Sequence, residues 1–91
     1  MIIKNETDIT VSWFCFNQKD AFKWVALASD DLSNSPGDNQ KTYTPPSNGN
    51  GLYFLRFTYE KGGTEIGGQV LSTNQTITIT GTKDHYHTNV T

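Results

Sequence analysis

Cysteine is nearly absent from this chain: Cys15 is the only one, so no internal disulfide can staple the fold. Helix formers are scarce as well, with three alanines and one methionine among 91 residues, which excludes a helical bundle. No run of lysine or arginine occurs, and a net charge of −2 leaves nothing to neutralise a phosphate backbone, so nucleic acid is excluded as a partner. Long apolar runs are missing too. The longest, residues 24–28, falls far short of the roughly 20 residues that a membrane-spanning helix requires. The opening residues Met1-Ile2-Ile3-Lys4-Asn5 contain neither the basic segment nor the apolar stretch of a signal peptide. With the lone cysteine, this sets the expectation of cytoplasmic localisation as synthesised, with secretion after removal of a leader, or by another route, as the alternative. Sequons at Asn5, Asn74 and Asn89 say nothing about secretion, because a chain so rich in Asn, Ser and Thr produces them by chance.

What is present is short alternation. Leu, Ile, Val and Phe together number 20 of 91 residues, enough for one thin core in one domain spanning residues 1–91. Apolar and polar residues alternate with period two between clusters of Gly, Pro, Asn and Asp, the signature of strands and turns. Seven strands are predicted, over residues 2–5, 9–17, 21–29, 41–44, 52–60, 64–71 and 75–80. Helix competes only over 21–28, AFKWVALA, where the strand signals on both sides and the breaker-rich loop that follows favour strand. Gly67-Gly68 inside the sixth strand predicts a bulge or a close approach to the backbone. The tail, residues 82–91, either adds an edge strand or frays. Each sheet must cover its apolar face with another layer, so the expected fold is an all-β, seven-stranded antiparallel two-sheet sandwich, immunoglobulin-like in outline. A small barrel is the alternative. The inter-sheet cysteine pair of true immunoglobulin domains is absent.

Catalytic chemistry has few candidates. His85 and His87 lie two apart, so in an extended strand both point the same way, but two ligands fall short of the three or four that zinc takes. Cys15 shares a face with Ile9, Val11 and Trp13 and reads as a small core residue rather than a nucleophile. Asp30, Asp31 and Asp38 cluster in the predicted loop 30–40 without the spacing of a calcium loop. Gly62-Gly63 and Gly67-Gly68 precede no Lys-Ser/Thr pair and no helix, so they are not a phosphate cradle. The expectation is therefore no catalysis, no cofactor and no metal.

The surplus is aromatic: two Trp, four Tyr and five Phe make 12% of the chain, more large rings than a thin sandwich readily encloses. Phe14 and Phe16 sit opposite Trp13 on the second strand, and Leu52 and Phe54 opposite Tyr53 and Leu55 on the fifth. These four, Phe14, Phe16, Leu52 and Phe54, are the expected interface of a homo-oligomer. Sugars offer an apolar ring face and a rim of hydroxyls, so a lectin-like site combines an aromatic platform with short polar side chains on loops. Trp24, Asp38, Tyr43, Asn48, Asn50, Tyr53 and Arg56 supply that combination and are the predicted ligand-binding residues. Carbohydrate or glycoconjugate is the expected partner, and the expected function is a non-catalytic binding module. The alternative is a protein-interacting or membrane-associating sandwich, a component of a toxin or an assembly.

Overall fold

Period-two alternation produces strands in eight places, and the way they pair decides everything else about the molecule. A computed structural model describes residues 1–20, 23–46, 52–59, 63–83 and 85–91, with the backbone alone described for 18–20. The strands are β1 (Ile2–Thr7), β2 (Val11–Asp20), β3 (Lys23–Leu32), β4 (Gln40–Thr42), β5 (Tyr53–Tyr59), β6 (Glu65–Leu71), β7 (Thr76–Thr82) and β8 (His85–Val90). They form two four-stranded sheets, a first in the order β4-β1-β7-β8 and a second in the order β3-β2-β5-β6. The protein is thus an all-β two-sheet structure and not a closed barrel. No helix occurs among the described residues, so none is long and apolar enough to cross a membrane.

Four expectations need correction. Among the described residues the strands number eight, because the polar tail pairs along β7 as an edge strand, with Val90 opposite Ile77 and His85 opposite Thr82. Pairing is not antiparallel throughout: β1 runs parallel to β7, from Ile2 opposite Thr76 to Thr7 opposite Gly81. Hairpins force their two strands antiparallel, but no turn joins β1 to β7, so their direction is set by the packing of the two layers. Asp30 and Asp31 belong to β3 and not to a loop, because β3 continues to pair with β2 until Leu32 meets Val11. Asp31 accepts a 2.5 Å hydrogen bond from the Ser12 hydroxyl on the neighbouring strand. Finally, strict alternation along the third strand sets Trp24, Ala26 and Ala28 on one side, but Ala26 and Ala28 do not share a face. Cys15 pairs with Ala28 and Phe16 with Ala26, so Leu27 is an extra residue in a bulge that reverses the alternation of β3.

The bulge expected near Gly67-Gly68 is present. Phe57 faces Gly67 while Thr58 faces Glu65, which leaves Ile66 as the additional residue. Gly68 is bare for a steric reason: the Phe54 ring lies over it, and an added Cβ would stand 2.6 Å from the ring's Cζ. Gly81, at φ +118, turns the β7–β8 hairpin where any Cβ would collide with the His85 carbonyl oxygen.

Between the sheets lies a core of Ile3, Ile77 and Ile79 from the first and Val11, Trp13, Cys15, Leu55 and Phe57 from the second. Asn5 is buried among them with 0% exposure. Its amide nitrogen donates to the carbonyls of Ile9 and Leu32, each at 2.9 Å. Its amide oxygen accepts from the Thr7 hydroxyl at 2.6 Å and the Thr7 amide at 3.1 Å. One side chain thereby joins β1 of the first sheet, the β1–β2 turn and the end of β3 in the second. Among the described residues no buried side-chain nitrogen or oxygen lacks a partner.

Replacing Asn5 by Ala takes the side-chain partner from the Leu32 carbonyl and the Thr7 amide, while the Thr7 hydroxyl and the Ile9 carbonyl keep their bond to each other, so the loss should be about 2 kcal/mol. Urea denaturation of the wild type and Asn5→Ala measures this directly. A loss no larger than that of an exposed substitution such as Thr73→Ala would show that the amide is not a tie between the sheets.

Candidate functional site

The predicted site residues separate into three places. Trp24 and Arg56 lie on the outer face of the second sheet, with Phe14, Phe16 and Phe54. Tyr43 and Tyr53 turn inward. Tyr53 is 1% exposed, and its hydroxyl is engaged by the Pro46 carbonyl at 2.6 Å, which leaves no surface for a ligand. Tyr43 is half-buried against Trp13, ring centroids 5.4 Å apart, and burial pushes its hydroxyl above the ordinary tyrosine range. Asp38 is exposed in the turn that closes with its amide on the Ser35 carbonyl. That turn lies at the Leu32 end of the sandwich, because the next residue, Asn39, accepts from the Asn5 amide. Trp24 is at the opposite end, roughly 20 Å along the strands at the usual rise per residue. Asn48 and Asn50 lie outside the described residues. A composite site of Trp24, Asp38 and Tyr43 is therefore not formed.

On the outer face of the second sheet the register aligns Ala26, Phe16, Phe54 and Val70 in a row across all four strands. The Phe54 ring meets Phe16 at 6.2 Å and Trp24 at 5.8 Å. One row further along, Arg56 stands 5.8 Å over the Phe14 ring, and its Nε pairs with the Glu65 carboxylate at 3.3 Å. Phe16, Trp24, Phe54 and Arg56 enclose a shallow hollow of about 230 Å³. Its walls are apolar apart from the one guanidinium. Leu52, the fourth expected interface residue, is exposed just before β5.

A wider cleft lies elsewhere, between the two sheets at the Asn5 end. It has about 640 Å³ of open space lined by Tyr59, Gly63, Thr64, Glu65, Ile66 and Tyr86. Tyr59 comes from the second sheet and Tyr86 from the first, and their rings meet edge to face at 5.6 Å. The bulge at Ile66 carries the end of β6 past its register and sets Glu65 and Thr64 on the cleft wall. Tyr86 is oriented by a 2.6 Å hydrogen bond from its hydroxyl to Asp8, whose other carboxylate oxygen accepts from the Lys83 amide at 3.3 Å. The Tyr86 hydroxyl thereby holds the Asp8 carboxyl below its ordinary value, against desolvation and with help from the Lys83 amide. Further along the same side, Gln69 donates across the gap to the Thr88 hydroxyl at 3.0 Å.

Sequence reasoning missed this cleft. Tyr59 and Tyr86 are 27 positions apart on strands of different sheets, and no spacing rule joins them. The bulge signal at Gly67-Gly68 is the one local feature that pointed toward it. Of the other candidates, His85 and His87 are exposed on the outer edge of β8, and among the described residues no three His, Cys, Asp or Glu side chains converge as a metal would require. Cys15 is fully buried, and desolvation pushes its thiol up to about 11. No protein-family model, no curated protein and no solved structure matches this chain.

Two measurements follow. Because the thiolate is the reactive form, Cys15 should resist iodoacetamide in the native protein at about pH 8 and react on unfolding in urea. Rapid native labelling would place it at the surface. The Asp8 carboxyl is depressed in the folded state, so its stabilisation is full above the ordinary value of 3.8 and is lost as pH falls through the native value. Tyr86→Phe should therefore raise the Asp8 titration midpoint, followed by its carboxyl ¹³C shift. An unchanged midpoint would assign the depression to another group.

Proposed function

We propose that the protein is a non-catalytic carbohydrate-binding module whose site is the cleft that Tyr59 and Tyr86 line together with Thr64 and Glu65. The observation behind this reading is the mixed character of the walls. Two tyrosine rings offer apolar surface for a sugar's ring face, while Glu65 and the Thr64 hydroxyl offer partners for its hydroxyls. The volume falls in the range of small-molecule sites, about 300–1,000 Å³. Glycoside hydrolysis ordinarily takes two carboxyls flanking the bond, and the described lining contributes one, Glu65.

The lectin-like reading thus keeps its ligand class but changes its residues. The hollow beside Trp24 supports it less well, because a single guanidinium cannot pair with a rim of hydroxyls. That face favours the second reading, a surface that docks an apolar partner.

The test is titration of the ¹⁵N-labelled protein with a panel of soluble neutral and acidic oligosaccharides. Amides of Thr64, Glu65 and Tyr86 should shift. Glu65→Gln should weaken the intrinsic affinity about tenfold, the worth of a charge-assisted hydrogen bond. Trp24→Ala should leave it unchanged. Absence of shifts across the panel at millimolar sugar, or shifts centred on Trp24 and Phe54, would overturn the assignment.

A further inference from the structure

We infer that the outer face of the second sheet is covered by a second copy of this chain in a two-fold homodimer. Three observations point to this occupant. The apolar row Ala26–Phe16–Phe54–Val70 spans the full width of the sheet and is indented only by shallow hollows, one beside Trp24 and one beside Phe14 and Ala26. Its shape suits another sheet, which packs face to face at about 10 Å. The large apolar side chains that remain uncovered sit together at this end, with Trp24 at 41%, Leu52 at 42% and Val70 at 52% exposure.

Charge separates a second copy from other partners. Arg56 and Glu65 stand side by side on neighbouring strands, 3.3 Å apart, at the border of the apolar rows. A two-fold axis that lies in the contact plane and passes beside this pair sets each copy's cation near the other's anion, so the patch is complementary to itself. An anionic lipid surface or an acidic protein selects for several cations. Among the described outward-facing positions of this sheet Arg56 stands against Asp31 and Glu65, a balance that disfavours both. Toward the Asn5 end the face turns polar at Asp31, Ser12 and Thr58, so the two copies overlap by their apolar halves only.

The overlap has a limited size. Four strands at about 4.8 Å and three outward rows at about 6.7 Å give a footprint roughly 19 by 20 Å. That is below the standard contact of about 800 Å² per partner, so the dimer should be weak and concentration-dependent.

Sedimentation equilibrium of the full chain over about 1–500 µM reads this directly. The mass should rise from 10.2 kDa toward twice that value. Val70→Lys changes a side chain already half in solvent and should move dimerisation at least about tenfold higher in concentration, with an unchanged thermal midpoint in dilute solution. Arg56→Glu should weaken the dimer, and Arg56→Glu combined with Glu65→Arg should restore it, which a purely apolar contact would not do. A monomer at every concentration, assemblies that grow beyond two copies, or a monomer that pellets with phosphatidylcholine vesicles would each overturn the proposal. Val70 lines no part of the tyrosine cleft, so the outcome is independent of sugar binding.

Discussion

The buried amide of Asn5 is the tie on which the arrangement of the two layers depends. A sandwich held only by apolar faces can slide, since burial energy has no direction. Asn5 removes that freedom. Its donors reach carbonyls of the β1–β2 turn and of Leu32 in the second sheet, while its acceptor takes Thr7. Its own backbone amide donates to Asn39 at 2.8 Å, and the Asn39 side chain returns a bond to the Asn5 carbonyl at 3.2 Å. The turn fixed in this way also places Asp8 beneath Tyr86, so the same end of the molecule that is locked on one side forms the walls of a cleft on the other. A chain without disulfides uses a hydrogen-bonded node where small secreted domains use a bridge.

Much of the layer architecture is written in local alternation. Val11, Trp13 and Cys15 point inward as their spacing requires, and so do Ile77 and Ile79. The doubly apolar character of β2 and β5 is equally local, and it placed Phe14, Phe16 and Phe54 on an outer face. What alternation does not encode is the residue that interrupts it. Leu27 has the same period-two setting in the sequence as its neighbours, yet β2 and β3 shift register there, and Ala26 passes from the inner to the outer face. The parallel pairing of β1 with β7 is invisible for a related reason: direction in a sheet is local only where a turn dictates it.

The candidate sites divide along the same line. The aromatic outer face is a property of single strands, each readable by itself, with the register adding only their alignment. The tyrosine cleft is a property of two strands in two sheets, and it exists because Asn5 and Asp8 bring their ends together. Tyr53 shows the converse error. It reads as one member of an aromatic strand near a polar loop, and its hydroxyl gave it the vocabulary of a ligand site, but the Pro46 carbonyl satisfies that hydroxyl within the core. A polar tip on a buried ring finds a partner inside the protein before it finds one outside.

The two surfaces are joined by a single carboxylate. Glu65 lines the cleft and pairs with Arg56, and Arg56 in turn covers the Phe14 ring on the outer face. Neither partner of this ion pair is deeply buried, the side chains being 42% and 53% exposed, so the pair is held weakly and either surface can compete for its members. A change at Glu65 therefore touches the cleft wall and the border of the outer face at once, whereas a change at Val70 touches the outer face alone.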